Sequence, residues 1–300
     1  MWLGLVACAA LQEQVSLELP PVEPGCDAPI EPSGLEWSPD RRVFWTHGDG
    51  PDCSKVLAAY DGQHQHVGTW IVSLPAALED SGNPPDVEDI ALDGHGGLWL
   101  GDFGNNVNDR TELRLYRFAE PDPWSEDRAP LTPEVTLRFR YANYDGKPKR
   151  KDLNYDAGAL FWEGGELYVL TLHRSDQKTT LYRVKVGGEE LQIVEPIGAY
   201  DVGGPQDRYG GAVHGADVHH EAGVLAVLAF HGVYFFDRPE AGQSWLSKPR
   251  DYHIDLVMSE TQVVEGITWR GSDLVLVNDG GDLFFIRDAL NRRRPFPSPR

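Results

Sequence analysis

Acidic, amide and histidine side chains recur in this 300-residue sequence at the edges of short apolar runs. Glu88, Asp89, Asp102, Asp217 and Glu265 supply carboxylate oxygens, which are hard ligands suited to Ca²⁺ first and Mg²⁺ second. Carboxylates brought close together repel one another, which raises some of their pKa values and suits them to proton transfer. Glu88, Asp89 and Glu265 are therefore the candidate catalytic bases. His47, Asp49, Asn105, Asn106, His173, His214 and Asn278 are the candidate ligand contacts, and the three histidines leave room for a softer metal or for phosphate. The competing expectation for each Asp and Asn is local: at strand ends these residues commonly cap tight turns.

What must position these residues is a repeat. A polar residue, a short apolar strand, a tight turn, a second apolar strand and a polar cluster recur in that order. Copies begin at residues 33, 88, 157, 216 and 265, a spacing of 49 to 69 residues, which is the scale of a propeller blade. Further alternating runs follow, such as Leu113–Phe118, Val135–Tyr141, Leu181–Val186 and Leu191–Val194, with the period of half-buried strands. No amphipathic helix of ten or more residues stands out. The last copy lacks an outer strand, and Glu13–Leu19 is suited to supply it, closing the ring and removing an open sheet edge.

The expected architecture is all-β: a five-bladed β-propeller of four-stranded antiparallel blades, with six blades the alternative because the 88–157 interval is long. One propeller domain spans 12–288, after a signal-like segment at 1–11 and before a basic Pro/Arg tail at 289–300. In such a blade the start of the innermost strand and the end of the second lie on one face. Glu88, Asp89, His214, Asp217 and Glu265, with Asp156 just ahead of the third copy, should thus meet the polar strand-two ends at one channel mouth. Tryptophans 37, 45, 99, 162 and 269 fall within the repeat strands, where packing between blades is the expected role.

Composition narrows the partners. The net charge of −20 repels a phosphate backbone and excludes a nucleic-acid binder. No apolar run approaches the ~20 residues of a membrane helix. Leu5-Val-Ala-Cys8 is similar to a bacterial lipobox without a basic n-region, so any membrane tie would be a lipid on Cys8. The expected location is then the periplasm, the outer membrane as a lipoprotein, or outside the cell, and the expected state is a monomer. Cys26 and Cys53 either pair there or stay as buried thiols. Phosphate-binding glycine loops and the G-x-S-x-G elbow are absent.

Ser33-Gly-Leu35 with Trp45-Thr-His-Gly-Asp49, Glu88-Asp-Ile-Ala91 with Gly101-Asp-Phe-Gly-Asn-Asn106, Asp156-Ala-Gly-Ala-Leu-Phe161, Gly215-Ala-Asp217 and Glu265-Gly-Ile267 together carry a resemblance. Over residues 31–286 the sequence resembles bacterial secreted β-propeller proteins of unassigned function. More distantly it is similar to calcium-dependent phytase-like and gluconolactonase-like propellers. Gly48 stands where that pattern has Asn, and Gly158 where it has a third-blade Glu. The polar ring without an evident nucleophile points to an exported or lipid-anchored propeller that binds a small-molecule or carbohydrate ligand with a divalent cation. A metal-assisted hydrolase of a phosphoester or lactone is the alternative, and a glycoside hydrolase using Glu88, Asp217 and Glu265 a further one.

Overall fold

In the computed structural model, 21 strands form from the alternating runs; the residues described are 13–19, 31–49, 55–75, 82, 84–147, 153–188, 190–203, 212–256 and 263–292. The signal-like segment, Cys8, Cys26 and Cys53 lie outside them. The first strand, β1 (Glu13–Ser16), belongs to the last blade. Blade one comprises β2 (Glu31–Ser38), β3 (Val43–Asp49), β4 (Val56–Asp61) and β5 (His66–Ile71). Blade two comprises β6 (Val87–Leu92), β7 (Gly97–Asp102), β8 (Leu113–Ala119) and β9 (Val135–Tyr141). Blade three uses β10 (Asp156–Glu163), β11 (Glu166–Leu172) and β12 (Lys178–Lys185); the next strand, β13 (Leu191–Val194), leaves it, and β14 (Pro196–Asp201) completes it. Blade four is β15 (Val213–His219), β16 (Val224–Ala229), β17 (Gly232–Asp237) and β18 (Pro249–Asp255). Blade five is β19 (Val264–Arg270), β20 (Asp273–Asn278) and β21 (Asp282–Ile286), closed by β1, whose Glu13 pairs with Phe285 and Ser16 with Asp282.

The five-bladed expectation holds, including its closure by the N-terminal strand. The long 88–157 interval is filled by β6–β9 and their loops rather than by a sixth blade. One strand is corrected. Leu191–Val194 does not end blade three; it pairs in parallel with β9 as a fifth strand of blade two, Leu191 opposite Arg138 and Val194 opposite Tyr141. Pro196–Asp201 takes the outer place against β12 instead. The alternation of Leu191–Val194 marked a strand, but nothing local selects its partner.

Five apolar clusters hold the ring, one at each blade interface. Trp45 and Trp99 are fully buried in two of them and Trp269 is buried in a third; Trp37 packs half-buried against a fourth, and Trp162 half-buried against the cluster that holds Trp99. Fully burying one large apolar side chain contributes roughly 1.5–3 kcal/mol, so these interfaces hold the blades in place around the channel.

Candidate functional site: the acidic mouth of the channel

All five innermost strands break register near their starts. The breaks fall between Ser33 and Glu36, Val87 and Asp89, Ala157 and Ala159, Val213 and Gly215, and Val264 and Gly266. The unpaired residues are Gly34 and Leu35, Glu88, Gly158, His214 and Glu265. A bulge adds one residue to a strand and re-aims its side chain. The repeat thus delivers three chemically capable side chains, Glu88, His214 and Glu265, from equivalent places in three blades. Blade three delivers none, for a steric reason: a Cβ on Gly158 would stand 2.2 Å from the Val213 carbonyl oxygen of blade four.

Glu88 meets a second carboxylate that the site expectations did not include. A Cβ on Gly104 would lie 2.2 Å from Glu88 Oε1 and 2.4 Å from Asp86 Oδ2, so both oxygens crowd over that glycine. Neither carboxylate forms an ion pair with a described residue. Burial, then Asp49 and Asp156, push Asp86 up to about 6. Burial, then Asp86, Asp156, Asp49 and Glu265, push Glu88 well above the usual carboxylate range.

Glu265 is committed to His214, its Oε2 lying 2.9 Å from Nδ1. Burial lowers the His214 pKa, but the charge and hydrogen bond of Glu265 outweigh it and the net shift is upward. His214 Nε2 is buried with no hydrogen-bond partner among the described residues. Arg174 closes another side of the mouth: its Nη2 reaches Asp156 Oδ2 at 2.7 Å and donates to Asn106 Oδ1. Asp156 also accepts the Asn105 backbone N–H at 2.6 Å.

The five expected metal ligands are not brought together. Glu88 and Glu265 reach the mouth. Asp102 is fully buried at the end of β7, where it accepts Arg110 Nη2 at 2.8 Å, the Asp86 backbone N–H at 3.0 Å and the Tyr116 hydroxyl at 3.3 Å. Asp89 bridges blades two and three, accepting the backbone N–H of Leu160 at 2.7 Å and of Ile90 at 2.9 Å. Asp217 bridges blades four and five through Trp269 N at 2.7 Å, Thr268 Oγ1 at 3.0 Å and Val218 N at 2.6 Å. Among the described residues no three His, Cys, Asp or Glu side chains are arranged to hold a metal ion.

The expected ligand contacts divide likewise. Asp49 is placed near Asp86 and Glu88, and Asn106 is exposed beside Arg174. Asn105 instead builds its loop, bonding Arg110 and Tyr155 through backbone groups. Asn278 caps a turn by accepting the Asp282 N–H at 2.6 Å. His173 lies 2.7 Å from Asp176. His47 is fully buried; its Nδ1 faces the Gly48 carbonyl at 3.2 Å, and burial lowers its pKa to about 4, so it is neutral.

Asp86, Arg110 and Arg174 were not among the expected site residues. Asp86 carried a faint signal, an acid two residues before Glu88 in Pro84-Pro-Asp-Val-Glu-Asp89. The two arginines carried none: Arg110 folds back on Asp102 within an irregular loop, and Arg174 reaches Asp156 and, in the neighbouring blade, Asn106.

No protein-family model and no curated protein matches this sequence. Solved structures do match. The Malassezia sympodialis allergen Mala s 1 is similar at 15% identity over 90% of this chain and 75% of its own, with a TM-score of 0.51. Virginiamycin B lyase from Staphylococcus aureus matches at 9% identity over 91% and 98%, with a TM-score of 0.45. A nidogen/laminin complex matches at 9% identity over 83% and 72%, with a TM-score of 0.47. At 15% identity the likeness to the allergen speaks to the fold, and fold alone does not license an activity. The chain is a five-bladed β-propeller.

Proposed function

We propose that this protein is an exported, ligand-binding propeller that takes a divalent cation, Ca²⁺ in the first instance, at its acidic mouth. The observation that supports the reading is the convergence of Asp86 Oδ2 and Glu88 Oε1 over Gly104 without a basic partner among the described residues. Asp86 and Glu88 would hold the cation in place of the five-carboxylate set. Two hard oxygens fall short of the six to eight that Ca²⁺ takes, so water and the ligand itself must complete its shell. Once bound, the cation would supply positive charge that orients ligand oxygens, which suits a carbohydrate or another oxygen-rich small molecule. Leu5-Val-Ala-Cys8 supports the export and lipid part of the proposal, and incorporation of labelled palmitate by the wild type but not by Cys8→Ala would test it.

Isothermal titration of metal-stripped full-length protein with CaCl₂ and MgCl₂ tests the binding reading. Saturable binding is expected in the wild type, falling about tenfold or more in Glu88→Gln and Asp86→Asn. Absence of binding in the wild type, or unchanged affinity in both variants, would overturn it.

A second reading is favoured by one specific feature, the buried Nε2 of His214. Glu265 orients this ring as a carboxylate orients a general base, and Glu88 stands near as an acid. A phosphoester or lactone hydrolase would use His214 to accept a proton from water. Turnover of p-nitrophenyl phosphate or gluconolactone that drops by about 10²-fold or more in His214→Asn would favour it. The glycosidase pairing has less support, because both Asp217 oxygens already accept hydrogen bonds.

A further inference from the structure

At the opposite end of the channel, we propose a second binding site, for a small organic ammonium ion. The hairpins that join the first two strands of blades one, two, four and five surround a cavity of about 350 Å³ there. That volume lies within the range of small-molecule sites. Glu36 and Asp217 face it from the channel, Glu120 from the side, and Trp37, Trp269 and Leu92 supply apolar wall.

Glu36 is the group that needs a partner. It is half-buried and forms no ion pair with a described residue. The cations near this end have partners other than Glu36. Arg41 is 3.9 Å from Glu120 at the rim. His220 lies 2.7 Å from Glu163. Arg270 stacks over Trp37 at 4.7 Å and donates to the Gly62 carbonyl. Burial, and then the charges of Asp217, Asp89 and Glu120, push Glu36 well above the usual carboxylate range.

The other acids of the lining explain why the occupant is an ammonium ion rather than a metal: Asp40 and Glu221 are exposed to water, and among the described residues no three acids are arranged to hold a metal ion. Asp217 already accepts from Val218, Thr268 and Trp269. Glu120 accepts the Trp45 indole N–H at 2.9 Å. Glu36, which has only the Leu92 backbone N–H and no ion pair, cannot with an aromatic wall replace the water shell of a divalent ion. They do suit one positive charge on an apolar body, which pairs with the carboxylate and gains from contact with indole rings. Arg270 on Trp37 shows such a contact already in place at this end of the molecule.

The test is calorimetric titration of the full chain with 2-phenylethylammonium chloride, and with 2-phenylethanol as the neutral counterpart. Expected is saturable one-to-one binding of the ammonium alone, weakened about tenfold or more in Glu36→Gln and several-fold in Glu120→Gln. Glu88→Gln, at the other mouth, should leave it unchanged. No saturable binding to the wild type, equal binding of the alcohol, or unchanged affinity in a Glu36→Gln protein with a wild-type melting profile would overturn the proposal. Loss of ammonium binding in Glu88→Gln would also overturn it, by moving the ligand to the acidic mouth. Because the two sites use different carboxylates, failure here leaves the Ca²⁺ titration to be judged by its own variants.

Discussion

Asp102 and Glu88 both belong to blade two, and the protein treats them in opposite ways. Asp102 ends β7 with an arginine, a backbone N–H and a phenol around it. Glu88 sits on the β6 bulge beside another carboxylate and has no basic partner among the described residues. Both are acidic residues at a blade edge, and both read from sequence as metal ligands. The difference lies in what folds around them. The loop after β7 returns Arg110 eight residues later, so that region satisfies its own charge. The bulge projects Glu88 into space shared by several blades, where the nearest charges are negative. A carboxylate with donors around it builds structure, and one left among other carboxylates is a place for something to bind.

The largest effect should come from breaking the satisfied side. Arg110→Met would leave Asp102 buried without its cation, and removing one partner of a buried pair typically costs about 3–5 kcal/mol. Urea denaturation measures it, and a loss under about 1 kcal/mol would mean the pair is unimportant to the loop.

Next is the glycine that keeps blade three silent. Gly158→Ala forces a methyl against the Val213 carbonyl and should cost about 1–3 kcal/mol by the same assay. A neutral result would show that the blades can separate there, and that the missing third-blade Glu has some other cause.

The unsatisfied side should respond to pH. The folded chain holds a proton on Asp86 up to about 6, against an ordinary value of 3.8. Between those values the folded state binds more protons than the unfolded one, so stability falls as pH rises through about 4 to 6. Glu88, also raised by burial and by its acidic neighbours, contributes in the same direction. Discounted for partial exposure, Asp86 alone accounts for roughly 1–2 kcal/mol. Urea melts of metal-free protein from pH 4.5 to 7.5 should show this decline, flattened in Asp86→Asn/Glu88→Gln. An equal slope in wild type and double variant would count against the pair.

The smallest effect is expected at Val107, exposed at the tip of the Asp102–Arg110 loop. Val107→Ser should change stability by less than about 0.5 kcal/mol, since the loop is held by Asn105, Asn108 and Arg110 rather than by its tip.

Much of the fold was legible because a blade is a local object. Consecutive apolar runs joined by tight turns pair with each other, and the short final copy announced the need for a strand from Glu13–Leu19, of which Glu13–Ser16 pairs. The parallel docking of Leu191–Val194 on β9 was not legible, since a four-residue alternation carries no address. The mouth was legible in part. Glu88, His214 and Glu265 occupy the bulge, a fixed place in the repeat. Asp89 and Asp217 lie in the same strands, yet they accept backbone N–H groups of the next blade, a use that appears only once the ring is closed. Arg174 and Arg110 lie in irregular loops with no repeat to place them.

The most direct test of the contrast between these regions is the melting temperature of metal-stripped, full-length protein at pH 7.5, with and without Ca²⁺ at about a hundred times its dissociation constant. Ligand linkage at that ratio adds about 2.7 kcal/mol, or on the order of 5 °C for a chain of this size. That rise is expected in the wild type and in Val107→Ser, and its loss in Asp86→Asn/Glu88→Gln. An unmoved wild-type midpoint, or a rise that survives in the double variant, would contradict that expectation.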